Sequence, residues 1–198
     1  MNKRLFDLAT GVLLLVLTSP FLLLAAIAIS LPRDGPILFR QTRIGRHGRP
    51  FTILKFRTMR RSENVSEQLT VGRDPRITRV GAMLRKWKLD ELPQLWNVIR
   101  GEMSMVGPRP EVPDFVADYP EHVRRLVLAV RPGITDWASI KYRDENELLD
   151  RQPDPGQYYR EVILPDKLRI ATAYASSPTL REDVRIIFAT LRALLVKR

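Results

Sequence analysis

From Leu8 to Pro32 the chain runs for 25 residues without a formal charge, and a proline stands near the middle, at position 20. An apolar run of that length has to be covered by a core or a membrane. Its length fits a spanning helix, which needs about 20 apolar residues to cross ~30 Å of hydrocarbon. Lys3 and Arg4 ahead of the run, with Ala26-Ile27-Ala28 inside it, also fit a secretory signal peptide. Ser19-Pro20 supports a third reading, since proline lacks an N–H and clashes with the preceding turn. Each half is then about 12 residues, or ~18 Å, too short to cross, and Ser19 can bond a carbonyl freed by the break.

Basic residues lie on both sides of the run: Lys3 and Arg4 before it, and Arg33, Arg40, Arg43, Arg46 and Arg49 after it. Such residues stay cytoplasmic, which a hairpin entering and leaving by one face satisfies at both ends. They also oppose export of the downstream chain. On residues alone the hairpin and the spanning helix stand level, with the signal peptide behind them.

The net charge of +11 is unevenly placed. Residues 33–109 hold 17 Lys/Arg against 7 Asp/Glu, whereas residues 110–198 balance at 14 against 14. A basic middle implies anionic partners: lipid headgroups, phosphorylated small molecules or nucleic acid. A nucleic-acid module would explain the basicity but neither the uncharged run nor the acidic pair at 90–91. Zero cysteines exclude disulfides, a Cys-based zinc site and a thiol nucleophile. His47 and His122 lack metal-ligand spacing and read as solvated.

Within the basic middle, Asp90 and Glu91 stand where Arg85, Lys86 and Lys88 give way to an apolar segment. Leu92, Leu95, Trp96 and Ile99 then recur at i, i+3, i+4 and i+7, one face of a helix. Pro93 is tolerated only in a first turn, so that helix begins beside the acidic pair. A helix N-terminus favours ionised carboxylates and can hold phosphate. Acidic side chains ringed by Arg85, Lys86, Lys88 and Arg109 suggest phosphate chemistry with a metal ion. Simple helix capping is the commoner use of such residues.

The remaining chain reads as short elements. Ile37–Phe39 and Phe51–Phe56 are β-prone around a turn at 45–50, and Arg40, Arg43, Lys55 and Arg57 can project from that hairpin toward one anion. Residues 60–73 form a polar connection. Asp74-Pro75 caps a helix whose stripe is Ile77, Val80, Leu84 and Trp87, suited to a membrane interface or to a core. Helical segments succeed it around 114–130, 158–164 and 166–176, with a tight turn at Arg131–Thr135. Thr179-x-x-Glu182 is a capping box opening a last helix, with Leu180, Val184, Ile187, Leu191 and Leu194 or Leu195 on its apolar side.

Several of these stretches together resemble one family. Lys88-Leu89-Asp90-Glu91-Leu92-Pro93-Gln94-Leu95, Asn97-Val98 and Met103-Ser104-Met105-Val106-Gly107-Pro108-Arg109-Pro110 resemble the bacterial sugar transferases, the monotopic phosphoglycosyl transferases. So do Phe39–Gly45, Lys55–Met59, Asp74–Thr78 and Arg131–Thr135, in one order over most of the chain. The resemblance implies an α+β monotopic membrane protein, with a re-entrant helix-break-helix over 1–32 hinged at Ser19-Pro20. Interfacial amphipathic helices and a small β-hairpin complete a single domain over 1–198, in the minimal form of the family. It implies transfer of a sugar 1-phosphate from a UDP-sugar to polyprenyl (undecaprenyl) phosphate at the cytoplasmic face of the bacterial inner membrane. Asp90 is then the nucleophile of a covalent aspartyl-phosphosugar route, with Glu91 completing the dyad. Mg²⁺ is the expected ion, with Asp90 as its ligand, and Lys55, Arg57, Arg85, Arg109 and Arg43 are expected to contact phosphate. The lipid bilayer is a partner and nucleic acid is not. Two positions depart from the common pattern: Glu102 stands where many members have Asp, and Asp136 where Gly is usual, so a different backbone is expected there.

Overall fold

The structure, a computed structural model, describes residues 2–33, 35–60, 72 and 74–195. Apart from Arg60 and Gly72, the connection expected over 60–73 therefore lies outside the described residues.

Helix α1 (Lys3–Ser30) opens on Asn2, whose side chain accepts from the Arg4 N–H. It contains Pro20, yet the chain stays helical to Ser30. Proline leaves the Val16 carbonyl without its backbone donor, and the Ser19 hydroxyl donates to that carbonyl at 2.8 Å. The compensation anticipated from Ser19 is present; the break itself shrinks to one missing backbone bond. By length and composition α1 could cross a membrane. One face is buried through Asp7, Gly11, Ala25 and Ile29, while Leu13, Val16, Leu17, Leu23 and Leu24 are exposed.

The expected hairpin forms as antiparallel β1 (Leu38–Ile44) and β2 (Pro50–Phe56). Pairing of Phe39 with Lys55 and of Arg43 with Phe51 puts Arg43 and Lys55 on one face, with Arg40 on the other. Helix α2 (Arg79–Lys86) begins later than expected. Its cap is Thr78, which accepts from the Gly81 N–H, whereas Asp74 accepts the Arg76 N–H in a preceding turn. Only part of the expected stripe goes inward: Leu84 is buried, and Trp87 is exposed together with Met83.

A 3₁₀ turn (Leu89–Glu91) leads to α3 (Gln94–Arg100), with Pro93 just ahead of it. Leu95 and Val98 carry the buried face, and Trp96, expected inside, is 47% exposed. The buried face of α3 is turned toward Gln94, Leu95, Asn97 and Val98, which leaves Trp96 on the outside. It ends at Gly101, whose φ of 87° is the left-handed stop that glycine permits.

Strand β3 (Ser104–Val106) pairs in parallel with β4 (Gly133–Thr135), where the sequence predicts only a turn at 131–135. The expected helix over 114–130 divides at Pro120 into α4 (Pro113–Ala117) and α5 (Glu121–Val127). Helices α6 (Trp137–Lys141) and α7 (Glu145–Asp150) come after β4. Helix α8 (Pro155–Tyr158), a π-helical turn (Tyr159–Ile163) and α9 (Leu164–Ser176) form one run, and Pro165, which has no N–H to donate, stands where the π-helical turn gives way to α9. In α10 (Leu180–Leu195) Thr179 accepts from the Glu182 N–H, as a capping box requires, but Glu182 bonds Trp137 instead of reaching back. The expected apolar side of α10 is displaced: Asp183 and Ile186 are buried, and Val184, Phe188, Leu191 and Leu195 are exposed.

Three apolar clusters support these elements. One gathers Val112, Phe115, Tyr159, Ile163, Leu164 and Leu168; a second gathers Ile53, Leu95, Val98, Met103, Val106 and Ile186. The third joins α1 to the body through Ala25, Ile29, Phe56 and Leu84. Fully burying a leucine such as Leu84 or Leu95 contributes about 2 kcal/mol. Leu89 packs on the third cluster and Leu92 on the second, so the turn carrying Asp90 and Glu91 is pinned at both ends.

The parallel pair depends on two glycines. A Cβ on Gly133 would lie 2.1 Å from the Gly107 nitrogen and 2.5 Å from its oxygen, both backbone atoms. Gly133→Ala is expected to cost about 3 kcal/mol, lowering Tm by roughly 10 °C. Gly48→Asn, at a positive φ in open space, should cost less than about 1 kcal/mol. Thermal unfolding in detergent compares the two.

Candidate active site

Helix α2 ends at Lys86, and two residues on Lys88, a non-glycine residue at φ 55°, folds the chain back into the 3₁₀ turn. That reversal places Asp90 and Glu91, 9% and 8% exposed, against the strands. Lys55 reaches Glu91 from β2, its Nζ 2.8 Å from Oε1. Arg109, just after β3, donates from Nη2 to Oε1 at 2.6 Å and from Nη1 to Oε2 at 3.1 Å. Glu91 is thus held by a bidentate guanidinium and an ammonium together, and both its oxygens are engaged.

Asp90 is treated oppositely. Its Oδ1 is buried with no hydrogen-bond partner among the described residues. Neither amide atom of Gln94, four residues on and 1% exposed, has a partner there either. Burial raises the Asp90 carboxyl above its usual range and the Glu91 charge raises it further, while Lys55, Lys88 and Arg85 only partly offset this. Burial would also raise Glu91, but Arg109 and Lys55 outweigh it and hold that carboxyl well below the usual range. Burial lowers Lys55 against the pull of Glu91, and Glu91 pushes Arg109 up. The dyad is therefore one fixed anion beside one unpaired carboxyl whose affinity for protons is raised. Expectation had the helix start keeping both ionised; burial is the stronger effect at Asp90.

A second layer supports the first. Arg43 on β1 donates to the Pro110 carbonyl at 3.1 Å and lies 3.4 Å from Glu111 Oε2. The Tyr159 hydroxyl donates to Glu111 Oε1 at 2.8 Å, and Lys167 pairs with Glu145 at 2.5 Å. Asp136 accepts the Arg109 N–H at 3.3 Å and the Ser139 N–H at 2.7 Å. Its backbone is extended, φ −160°, which any residue adopts, so no unusual conformation marks the departure from glycine. Glu102 accepts from the Asn97 amide at 2.7 Å, and that amide also donates to the Thr52 carbonyl, tying α3 to the hairpin.

Of the residues singled out from sequence, Asp90, Glu91, Lys55 and Arg109 come together. Arg43 lies one layer behind, and Arg85 acts on Asp90 through its charge. Arg57 is elsewhere: its Nη2 donates to the Ile29 carbonyl near the end of α1 at 3.1 Å. His47 and His122 are exposed. Glu111, Asp136 and Gln94 were missed, though Glu111 directly succeeds the Gly-Pro-Arg-Pro turn and could have been suspected as its counter-charge. Among the described residues no three of His, Cys, Asp and Glu form a metal cluster.

The family model for bacterial sugar transferase matches residues 1–197. Among curated relatives, the UDP-glucose:undecaprenyl-phosphate glucose-1-phosphate transferase of Caulobacter vibrioides is 39% identical over 201 residues, covering 98% of this chain and 70% of that protein. The Escherichia coli protein of the same name is 42% identical over 166 residues, covering 81% of this chain and 36% of its own length. The undecaprenyl-phosphate glucose phosphotransferase of Komagataeibacter xylinus is 40% identical over 207 residues, covering 100% and 36%. The chain thus spans about a third of the length of two of these relatives.

The two carboxylates should differ in what they do for stability. Glu91→Gln leaves two cations facing a neutral acceptor, and breaking a buried pair costs about 3–5 kcal/mol. Arg109 keeps 31% of its side chain exposed, so the lower end is expected. Asp90→Asn removes an unpaired buried charge and should leave Tm unchanged or raised. Thermal melts of both variants, taken at neutral pH, check the contrast.

Proposed function

The chain belongs to the bacterial sugar transferase family, and on that footing we propose that it transfers a sugar 1-phosphate from a UDP-sugar to undecaprenyl phosphate at the cytoplasmic face of the inner membrane. One observation carries the assignment of roles: Glu91 is fully engaged by Lys55 and Arg109, while among the described residues buried Asp90 Oδ1 has no partner and lies four residues from the equally unpartnered Gln94 amide.

An Asp90 carboxylate oxygen attacks the phosphorus that bears the sugar. The bond from that phosphorus to the UMP oxygen breaks, UMP leaves with the electron pair, and an aspartyl-phosphosugar remains. A phosphate oxygen of the lipid then attacks the same phosphorus, the Asp90–phosphorus bond breaks, and the carboxylate is regenerated. Raised proton affinity and burial leave Asp90 poorly stabilised as an anion, which favours its attack on an electrophile. Glu91 does not react; it fixes Lys55 and Arg109 where their cations face the diphosphate charge. An unpartnered carboxylate oxygen beside a diphosphate fits a hard divalent cation, so Asp90 would hold Mg²⁺, with phosphate oxygens and water as its other ligands, and the ion would neutralise the leaving group.

The membrane part of the reading rests on α1. Its N-terminal turns meet the body through Lys3, Arg4 and Asp7, and its C-terminal turns through Ala25, Ile29 and the Arg57 bond to Ile29. With 28 residues it is ~42 Å long. A helix held at both ends by one body cannot deliver those ends to opposite faces of a bilayer. A re-entrant insertion, yielding at Pro20, keeps both at the cytoplasmic face and gives the exposed Leu13, Val16, Leu17, Leu23 and Leu24 side chains to lipid. Exposed Trp87, Trp96 and Met83 supply further apolar contact at the interface.

Enzyme and UDP-sugar without lipid should release up to about one equivalent of UMP and gain the mass of a sugar phosphate, and Asp90→Asn should abolish both. Release that strictly needs the lipid, with no adduct, points to direct transfer. Because Asp90 reacts as the carboxylate and its pKa is raised in the free enzyme, kcat/KM, which reports that state, should fall at limiting Mg²⁺ as pH drops through a value above the ordinary aspartate range. Lys55→Met, which removes a charge holding Asp90 down, should move that acid limb to higher pH in single-turnover profiles. Cysteines at Asn2 and Gly48 should be labelled only from the cytoplasmic side; labelling from opposite sides means a spanning helix.

A further inference from the structure

The first two turns of α1 carry three charged residues, and each is spent on the segments that bear the site. Asp7, 1% exposed, accepts at Oδ1 from the Ser104 hydroxyl at 2.9 Å and from the Met105 N–H at 3.0 Å. Lys3 donates to the Val106 carbonyl at 3.1 Å and pairs with buried Asp183 at 2.6 Å. Arg4 donates to the Val98 and Ile99 carbonyls at 2.7 and 2.9 Å, at the end of α3. Among the described residues strand β3 has a strand neighbour on one side only: the Ser104 N–H reaches the Pro132 carbonyl and the Gly107 N–H the Thr135 carbonyl. The intervening Met105 N–H points to the free edge, and Asp7 fills that edge.

The link from β3 to Arg109 is only Gly107 and Pro108, and it has little slack. The Pro108 carbonyl accepts from the Gly133 N–H at 3.0 Å, and the Arg109 N–H reaches Asp136. A shift of β3 is therefore passed on to the Arg109 guanidinium and its fork on Glu91. Resting on the function proposed above, we propose that Asp7 is a positioning residue: through β3 it sets where Arg109 meets Glu91, so that docking of the membrane helix assembles the active site.

Two measurements test this. In single-turnover UMP release, Asp7→Ala should lower the rate on the order of tenfold to a hundredfold, the range for small displacements of catalytic groups. In an Arg109→Lys background, which has already lost the fork, the same change should cost less than about threefold, because effects within one unit are not additive. Equal losses in both backgrounds would overturn the proposal in favour of general destabilisation. Hydrogen exchange in detergent gives a readout independent of turnover: Asp7→Ala should speed exchange over 104–110 while leaving 165–175 in α9 unchanged. Unchanged exchange over 104–110, or an equal rise in both segments, likewise overturns it. If Asp7→Ala fails to accumulate, Ser104→Ala, which removes one of the two donors to Asp7, is expected to show the same pattern at smaller size, and its absence counts against the proposal. If the wild-type chain releases no UMP from any UDP-sugar, the proposed function fails, and the exchange result still decides the role of Asp7.

Discussion

Glu91 is the point at which three separate stretches of the chain are tied together. Lys55 comes from the hairpin, Arg109 from the turn after β3, and the carboxylate from the short turn between α2 and α3. None of these stretches is long enough to be stable alone, and the charges that join them are mostly withdrawn from water. The arrangement holds because the anion is matched by two cations with good geometry, which is the condition under which buried charge is tolerated. Asp90, next in sequence, lacks any such match. One chain thus keeps two adjacent carboxyl groups in opposite electrostatic surroundings, and the difference comes from which way each side chain leaves a single tight turn.

Much of this was legible in the order of residues. The acidic pair, its basic surroundings and the hairpin all emerge from local patterns, and Lys55 and Arg109 belong to motifs that mark the family. The features hidden in the sequence were mostly non-local. The parallel pairing of β3 and β4 joins two three-residue strands that carry no periodic signal, and it rests on close contact of Gly107 with Gly133. The inward face of α10 is centred on Asp183 and Ile186 because Lys3 and Tyr174 supply partners for the carboxylate, something apolar periodicity cannot register. Arg57 read as a phosphate ligand from its company in the sequence; its Nη2 bonds the carbonyl of Ile29, 28 residues earlier, and its Nη1 has no partner among the described residues.

The apolar surface shows a similar division. Leu13, Val16, Leu17, Leu23 and Leu24 on α1, Met83 on α2, Trp87 just after it, and Trp96 on α3 are exposed, while the opposite sides of these helices carry the core. Hydropathy alone would rank these residues as interior. A chain that exposes these apolar side chains and buries Asp7, Glu91 and Asp183 departs from the usual distribution of polarity.

The bond from the Ser19 hydroxyl to the Val16 carbonyl bears on how such a helix can be redesigned. Scored by oiliness, leucine at position 19 would look like an improvement. With α1 inserted in lipid as proposed above, it would also strip the bare carbonyl beneath Pro20 of its substitute donor where no water can step in. On that placement the more greasy sequence makes the less comfortable lodger in a bilayer, and hydropathy ranks the two the wrong way round.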